Sequence, residues 1–423
     1  MNKSTKKIVD NRTIWLLFGL CWSVYFISYI GRMNYSAAMP DIIGSGRLTM
    51  QQAGSLSTAF FICYAAGQLV NGFLADRTKP ENLIFAGLGL SALANMFMPL
   101  VPSYISALGL WAVNGYALSM LWPPIIRIFA DMFDGRTMIK CGVHITSSMA
   151  AGSLCAYLLA SVLIRFFGWQ AVFFVASCLL VTIGVVWHLV FAYVKRRREE
   201  YGVTQTADEL IQKENITSPA NHKKNFTKYL LGSGIFILLL PVAIHGAIKD
   251  GVTAWIPTML TQTFAAPAYM AVLTASVLPI VNLSGAYMAN YLFKRWIKNE
   301  ILCAAVFFAM ALAGIVGIIL VGSVNILLTT MLFSVITASI LAINVLMINL
   351  VPLRFHQMRR TATISGLFNA VAYVGSAITA AGIGWLVSGF SRNVVMACFA
   401  VLVIGAGAVC LFGGRIRLPE GGS

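Results

Sequence analysis

Apolar residues run along this chain in twelve long blocks separated by polar breaks. The blocks lie at about 14–38, 53–74, 83–101, 105–129, 141–166, 170–194, 229–260, 268–293, 301–320, 325–351, 362–388 and 394–412. A helix needs about 20 apolar residues to cross a bilayer, so the pattern predicts twelve transmembrane helices. One polar stretch is much longer than the others. Residues 195–228, opening Lys-Arg-Arg-Arg-Glu-Glu, separate two sets of six blocks. The expected organisation is a six-helix bundle over 1–194, a solvated linker over 195–228 and a second six-helix bundle over 229–420. A short surface helix is expected near Ala207–Lys213 of the linker.

The two halves carry an internal repeat. Arg136-Thr137-x4-Gly142 enters the fifth block and Arg360-Thr361-x4-Gly366 enters the eleventh, with Gly152-Ser153 and Gly375-Ser376 following at nearly matching distances. Phe73-Leu74-x-Asp76-Arg77 after the second block aligns with Tyr291-Leu292-x-Lys294-Arg295 after the eighth. Parallel six-helix repeats about an axis normal to the membrane let many secondary transporters alternate access. The expected class is an all-α membrane protein whose twelve helices form two pseudo-symmetric six-helix bundles.

Composition fits that class, with 59% hydrophobic and only 10% charged residues. Of 30 Lys and Arg, 25 fall in the tails, the linker and the loops on one side, against Arg47, Arg165 and Arg392 on the other. By the positive-inside rule both termini and the linker are cytoplasmic, and the expected location is the cell's inner (plasma) membrane. The net charge of +16 therefore expresses topology and not nucleic-acid binding. The short basic N-terminal tail precedes a block too long for a signal-peptide core, so that block reads as retained. Eight cysteines are scattered singly, without a CxxC or Cys/His cluster, and call for neither a disulfide frame nor a metal site. No cofactor is called for, and no nucleophile–base pair suggests an enzyme.

Two cations remain inside the blocks. Arg32 is the only charge in Ile14–Ala38, and Lys249 lies at similar depth in the seventh block. A buried cation in a membrane faces a bundle interior or a water-filled cavity, because lipid does not solvate it. A snorkelling arginine near the outer end is the alternative, Pro40 being eight residues on. On the helical face of Arg32 lie Tyr25, Ser28, Tyr29 and Ser36. His245, one turn before Lys249, is expected to add hydrogen-bonding or positive character on the same face. Of 14 acids only Asp250 lies deep in a helix; it reads either as a proton relay, with His245, or as a local partner of another helix. Helical geometry points it about 100° away from Lys249. Asn369 and Tyr373, four apart in the eleventh block, and Asn114 and Trp122 in the fourth, are further pocket candidates; Asn344 and Asn349 interrupt the tenth.

Gly72-Phe-Leu-Ala-Asp76-Arg77-Thr-Lys79 resembles the 2–3 loop motif of the major facilitator superfamily, and Gly168-Trp169-x3-Phe173 resembles its helix 5–6 turn. Within that superfamily the chain resembles the organophosphate:phosphate antiporters. Tyr25-x3-Tyr29-x2-Arg32-x-Asn34-x3-Ala38-x-Pro40, Asn114-Gly115-x6-Trp122-Pro123-Pro124-x2-Arg127 and Lys249-x-Gly251-x3-Trp255-x-Pro257-Thr258 carry the likeness. The resemblance implies that Gly72, Asp76 and Arg77 govern conformation by latching the outward-facing state. The expected reading of the residues is that Arg32 and Lys249 grip an anion between the halves, with Tyr25, Tyr29, His245, Trp122, Asn369 and Tyr373 shaping the pocket. The antiporters resemble one another in carrying arginine where Lys249 stands, a histidine where Met149 stands and a basic residue where Met33 stands.

The expected activity is secondary transport of a small organic anion, an organophosphate or similar, by exchange through alternating access. The counter-anion would be inorganic phosphate or another anion, and the carrier is expected to act as a monomer in the lipid bilayer. A proton-coupled carboxylate or sugar-acid symporter is the alternative. A non-transporting sugar-phosphate sensor is another.

Overall fold

The computed structural model describes residues 6–8, 10–201, 203–204, 235–354 and 361–414. The first half contains α1 (Asn11–Gly44), α2 (Met50–Arg77), α3 (Pro80–Phe97), α4 (Tyr104–Met132), α5 (Lys140–Phe167) and α6 (Trp169–Tyr201). The second contains α7 (Ile235–Phe264), α8 (Ala268–Arg295), α9 (Glu300–Val321), α10 (Ile326–Leu350), α11 (Thr361–Gly389) and α12 (Arg392–Gly413). Among the described residues, eleven helices are long and apolar enough to cross a membrane. The other is α3, whose 18 residues open with Pro80-Glu81-Asn82 and so carry a polar first turn. It nonetheless packs along α4 and α6 inside the first bundle. The surface helix expected near Ala207–Lys213 lies outside the described residues.

Polar residues mark where the helices start and stop. Asp10 caps α1 by accepting from the backbone N–H groups of Arg12 and Thr13. Thr49 and Gln52 form a capping box at α2, and Ser103 and Ser106 another at α4. The turn between α5 and α6 needs Gly168, whose φ is +79°, a conformation that side chains disfavour. The Trp169 N–H that follows donates to Asp41 Oδ2 at 3.1 Å, tying this turn to the end of α1.

Small residues set the helix crossings, and they do so twice. A side chain at Gly152 on α5 would strike the Phe26 carbonyl of α1, and one at Gly375 on α11 would strike the Ala243 carbonyl of α7. Likewise Gly67 on α2 abuts Ser119 of α4, and Gly285 on α8 abuts the Ala338 carbonyl of α10. The Gly-Ser repeat legible in the sequence is therefore a repeated close backbone contact, the usual way helices approach in lipid. It also fixes the register of the halves: Arg32 lies six residues after Phe26, and Lys249 six after Ala243.

The halves meet on the face opposite the start of α1 and the end of α12. Thr58 Oγ1 donates to the Ala377 carbonyl at 2.8 Å, Gln51 Nε2 to Ser388 Oγ at 3.3 Å and Ser161 Oγ to the Tyr269 carbonyl at 2.8 Å. Gly54 and Gly384 let α2 and α11 touch backbone to backbone, and the Arg165 guanidinium lies 5.3 Å over the Tyr269 ring. The inter-half bonds of Ser36, Gln51, Thr58 and Ser161 all lie between the level of Arg32 and this face.

Candidate functional site

At the centre of the bundle Arg32 meets Asp250. Arg32 Nη2 lies 3.2 Å from Asp250 Oδ1, and Lys249 Nζ lies 3.4 Å from Asp250 Oδ2, so one carboxylate bridges a cation from each half. The Arg32 side chain is 5% exposed, that of Asp250 11% and that of Lys249 25%. The arginine is thus desolvated while the lysine keeps contact with the wetter side. Arg32 Nε is buried without a hydrogen-bond partner.

Rings surround the guanidinium. Its carbon lies 4.8 Å from the centroid of Tyr64, 5.5 Å from Tyr29, 5.7 Å from Phe60 and 6.0 Å from Tyr373. Lys249 Nζ is 6.0 Å from the same Tyr373 ring. Tyr25 packs edge-on to Tyr29 at 5.5 Å and against Trp122 at 4.9 Å. Helices α1, α2, α4 and α11 thereby supply an aromatic wall that attracts cations by its ring faces. On the closed side of Arg32 a small cavity is lined by Ser36, Ser57, Phe60, Trp111, Lys249 and Asp250, among others. Ser36 Oγ roofs it by donating to the Ala254 carbonyl at 2.7 Å across the two halves.

A buried amide network holds the arginine's backbone. Asn114 Nδ2 donates to the Gly31 carbonyl at 3.1 Å, Ser91 Oγ donates to Asn114 Oδ1 at 2.6 Å, and Asn34 Nδ2 donates to Asn95 Oδ1 at 2.6 Å. Asn114 is therefore a tie between α1, α3 and α4 and does not line the cavity. Asn114→Ala is expected to lower stability by about 1–3 kcal/mol, since the Gly31 carbonyl and the Ser91 hydroxyl lose their buried partner. Thermal melting of the purified protein reads this; an unchanged midpoint would show that water replaces the amide.

The family model described as Major Facilitator Superfamily matches residues 21–380. The chain belongs to that superfamily. By family and by its apolar helices it is a multi-pass membrane protein. Among its relatives is the membrane sensor protein UhpC of Salmonella typhimurium, 24% identical over 64% of this chain and 62% of that protein. The probable hexose phosphate transport protein of Chlamydia trachomatis is 22% identical over 63% and 61%. The probable sulfoacetate transporter SauU of Cupriavidus necator is 26% identical over 47% and 45%. The chain thus matches about three-fifths of the length of the first two relatives. A crystal structure of a bacterial homolog of the human lysosomal transporter Spinster, inward-facing and occupied, superposes with a TM-score of 0.75 over the whole of both chains at 15% identity, which shows the fold.

The sequence-predicted residues fare unequally in this structure. Arg32, Lys249, Tyr29 and Tyr373 converge at the centre, with Tyr25 and Trp122 behind them. The expectation that Asp250 points away from Lys249 is corrected, because the two side chains pair. Ala247–Val252 is a π-helical turn, so the 100° spacing of an α-helix does not hold there, and the flexible lysine closes the remaining distance. His245 is buried with Nε2 3.2 Å from the Asn344 amide nitrogen of α10, and its Nδ1 has no partner. It does not line the central cavity. Asn369 is exposed, and its amide donates to the Ser365 carbonyl at 3.1 Å; no described contact joins it to the cluster.

Asn344 does not break α10 but begins a π-helical segment, Asn344–Leu350. Gly72 and Arg77 close α2, with the Arg77 guanidinium 3.9 Å over the Phe73 ring, while the Asp76 side chain lies outside the description. Phe60 and Tyr64 were missed by the sequence reading. Their spacing of four on an uncharged stretch of α2 was the available signal, but such pairs are common in any membrane helix.

Proposed function

We propose that this transporter carries a small organic anion, an organophosphate or similar, by exchange through alternating access. The supporting observation is the central cluster: a desolvated arginine on α1 and a partly wet lysine on the equivalent turn of α7 face each other across the halves. An anion held between them would draw the bundles together and exchange one closed face for the other. Most of the basic residues lie on the open side in sequence terms, so that side is the cytoplasmic one and both termini face the cytoplasm of an inner membrane. The hexose phosphate and sulfoacetate relatives carry compounds of this chemistry by their names.

The test is uptake into proteoliposomes of labelled glucose 6-phosphate and sulfoacetate. Uptake that depends on internal phosphate or internal unlabelled anion supports exchange. Uptake driven by a pH gradient alone supports the proton-coupled carboxylate reading, with Asp250 as the acid. Binding without uptake supports a sensor, the role named for the UhpC relative.

Lys249 discriminates further. Lys249→Arg is expected to preserve or tighten binding of a phosphate ester, because a guanidinium offers a planar fork where an ammonium offers a point charge. Lys249→Ala is expected to weaken binding of the same ester in an equilibrium titration. Wild-type affinity in Lys249→Ala would remove this residue from the site.

A further inference from the structure

Two cations facing each other invite a doubly charged ligand, but the structure does not leave both cations free. Asp250 already sits between them, with one oxygen toward Arg32 and the other toward Lys249. The three side chains together carry one net positive charge. Arg32, Lys249 and Asp250 all line one small cavity between the halves. Arg32 keeps one buried donor, Nε, without a partner. That arrangement has room for one further negative charge before the cluster is neutral.

We infer that Asp250 sets the charge of the transported anion: with its carboxylate in place the site takes a singly charged organic anion in preference to a doubly charged one. This rests on the proposal that Arg32 and Lys249 form the anion site. A carboxylate, a sulfonate, a sulfate ester or a singly protonated phosphate ester would leave the cluster neutral. A dianion would leave it with a net negative charge in a desolvated setting, where like charges repel strongly because little water screens them. The same carboxylate gives the empty carrier an internal counter-ion, so Arg32 is not bare when no substrate is bound. Asp250 is then a specificity-determining residue that acts through the charge balance of its two partners.

The experiment compares two ligands of one skeleton. Glucose 6-sulfate carries one negative charge, and at pH 8 glucose 6-phosphate carries two, its second pKa being about 6. Ligand-induced thermal stabilisation of the purified full-length protein, titrated with each, gives apparent Kd values. The wild type is expected to bind the sulfate ester roughly tenfold or more tightly than the phosphate ester. Asp250→Asn is expected to reverse that order, because both cations become available. Asp250→Asn leaves two buried cations facing each other and can lose stability. The double variant Lys249→Gln/Asp250→Asn removes one charge of each sign and is expected to retain the wild-type order.

A wild type that binds the phosphate ester as tightly as the sulfate ester would overturn the inference, as would an Asp250→Asn protein that keeps the wild-type order. A double variant that prefers the dianion would overturn it as well. In each case the anion site itself would stand. If neither compound stabilises any of the three proteins, the anion-transport proposal falls and takes this inference with it.

Discussion

Arg32→Ala is expected to weaken anion binding about tenfold to more than a hundredfold. The change removes a charge-assisted hydrogen bond worth roughly 1.5–3 kcal/mol, from a guanidinium that is 5% exposed and ringed by aromatic side chains. Arg32→Lys is expected to recover part of the loss, because charge returns without the planar fork. Folding is expected to survive Arg32→Ala, since Asp250 keeps Lys249 as a partner at 3.4 Å and no buried charge is left alone. Ligand titration of purified variants, with melting measured alongside, checks both halves of the claim. Wild-type binding together with a much earlier melt would make the arginine a structural clamp between the bundles and sink the anion site.

Gly246→Val is expected to cost at least about 3 kcal/mol, the upper range for overpacking, and to leave little folded protein at physiological temperature. Any side chain there would overlap the Ala372 carbonyl of α11, and the obstacle is backbone that cannot rotate aside. The reciprocal contact, Gly375 against the Ala243 carbonyl, lies on the same crossing. Gly375→Val should therefore be similarly damaging, and the two changes should not add. Gly19→Ala is the control, since a side chain there meets open space and replaces glycine by the best helix former. Melting temperature and folded yield in detergent read the series. A Gly246→Val protein that melts with the wild type would place α7 and α11 further apart, and with them Lys249 and Tyr373.

The apolar blocks and the superfamily were legible in the residues, because lipid demands long apolar helices and leaves little freedom to hide them. The repeat was legible for a related reason. Gly152-Ser153 and Gly375-Ser376 serve the same crossing in each half, so their spacing is kept by geometry. Arg32 and Lys249 stood out because a cation inside a membrane helix is rare and needs a cavity or a partner. What lines the space between them did not stand out. Tyr64 and Phe60 come from α2, Tyr373 from α11 and Trp122 from α4, and which of a membrane protein's many aromatic residues meet one arginine depends on how four helices rotate about their axes.

By itself, then, the sequence determined where the chain crosses the membrane, how it repeats and which two cations are trapped inside it. Tertiary structure alone decided the fate of their charge. Whether Asp250 opposes or ignores Lys249 turns on a π-helical turn over Ala247–Val252, a shift of helix winding that no residue pattern announces. Whether it reaches Arg32 turns on how closely α1 and α7 approach across the two halves. Charge is a property of residues, but neutralisation needs atoms within about 4 Å of each other, and only packing brings them there.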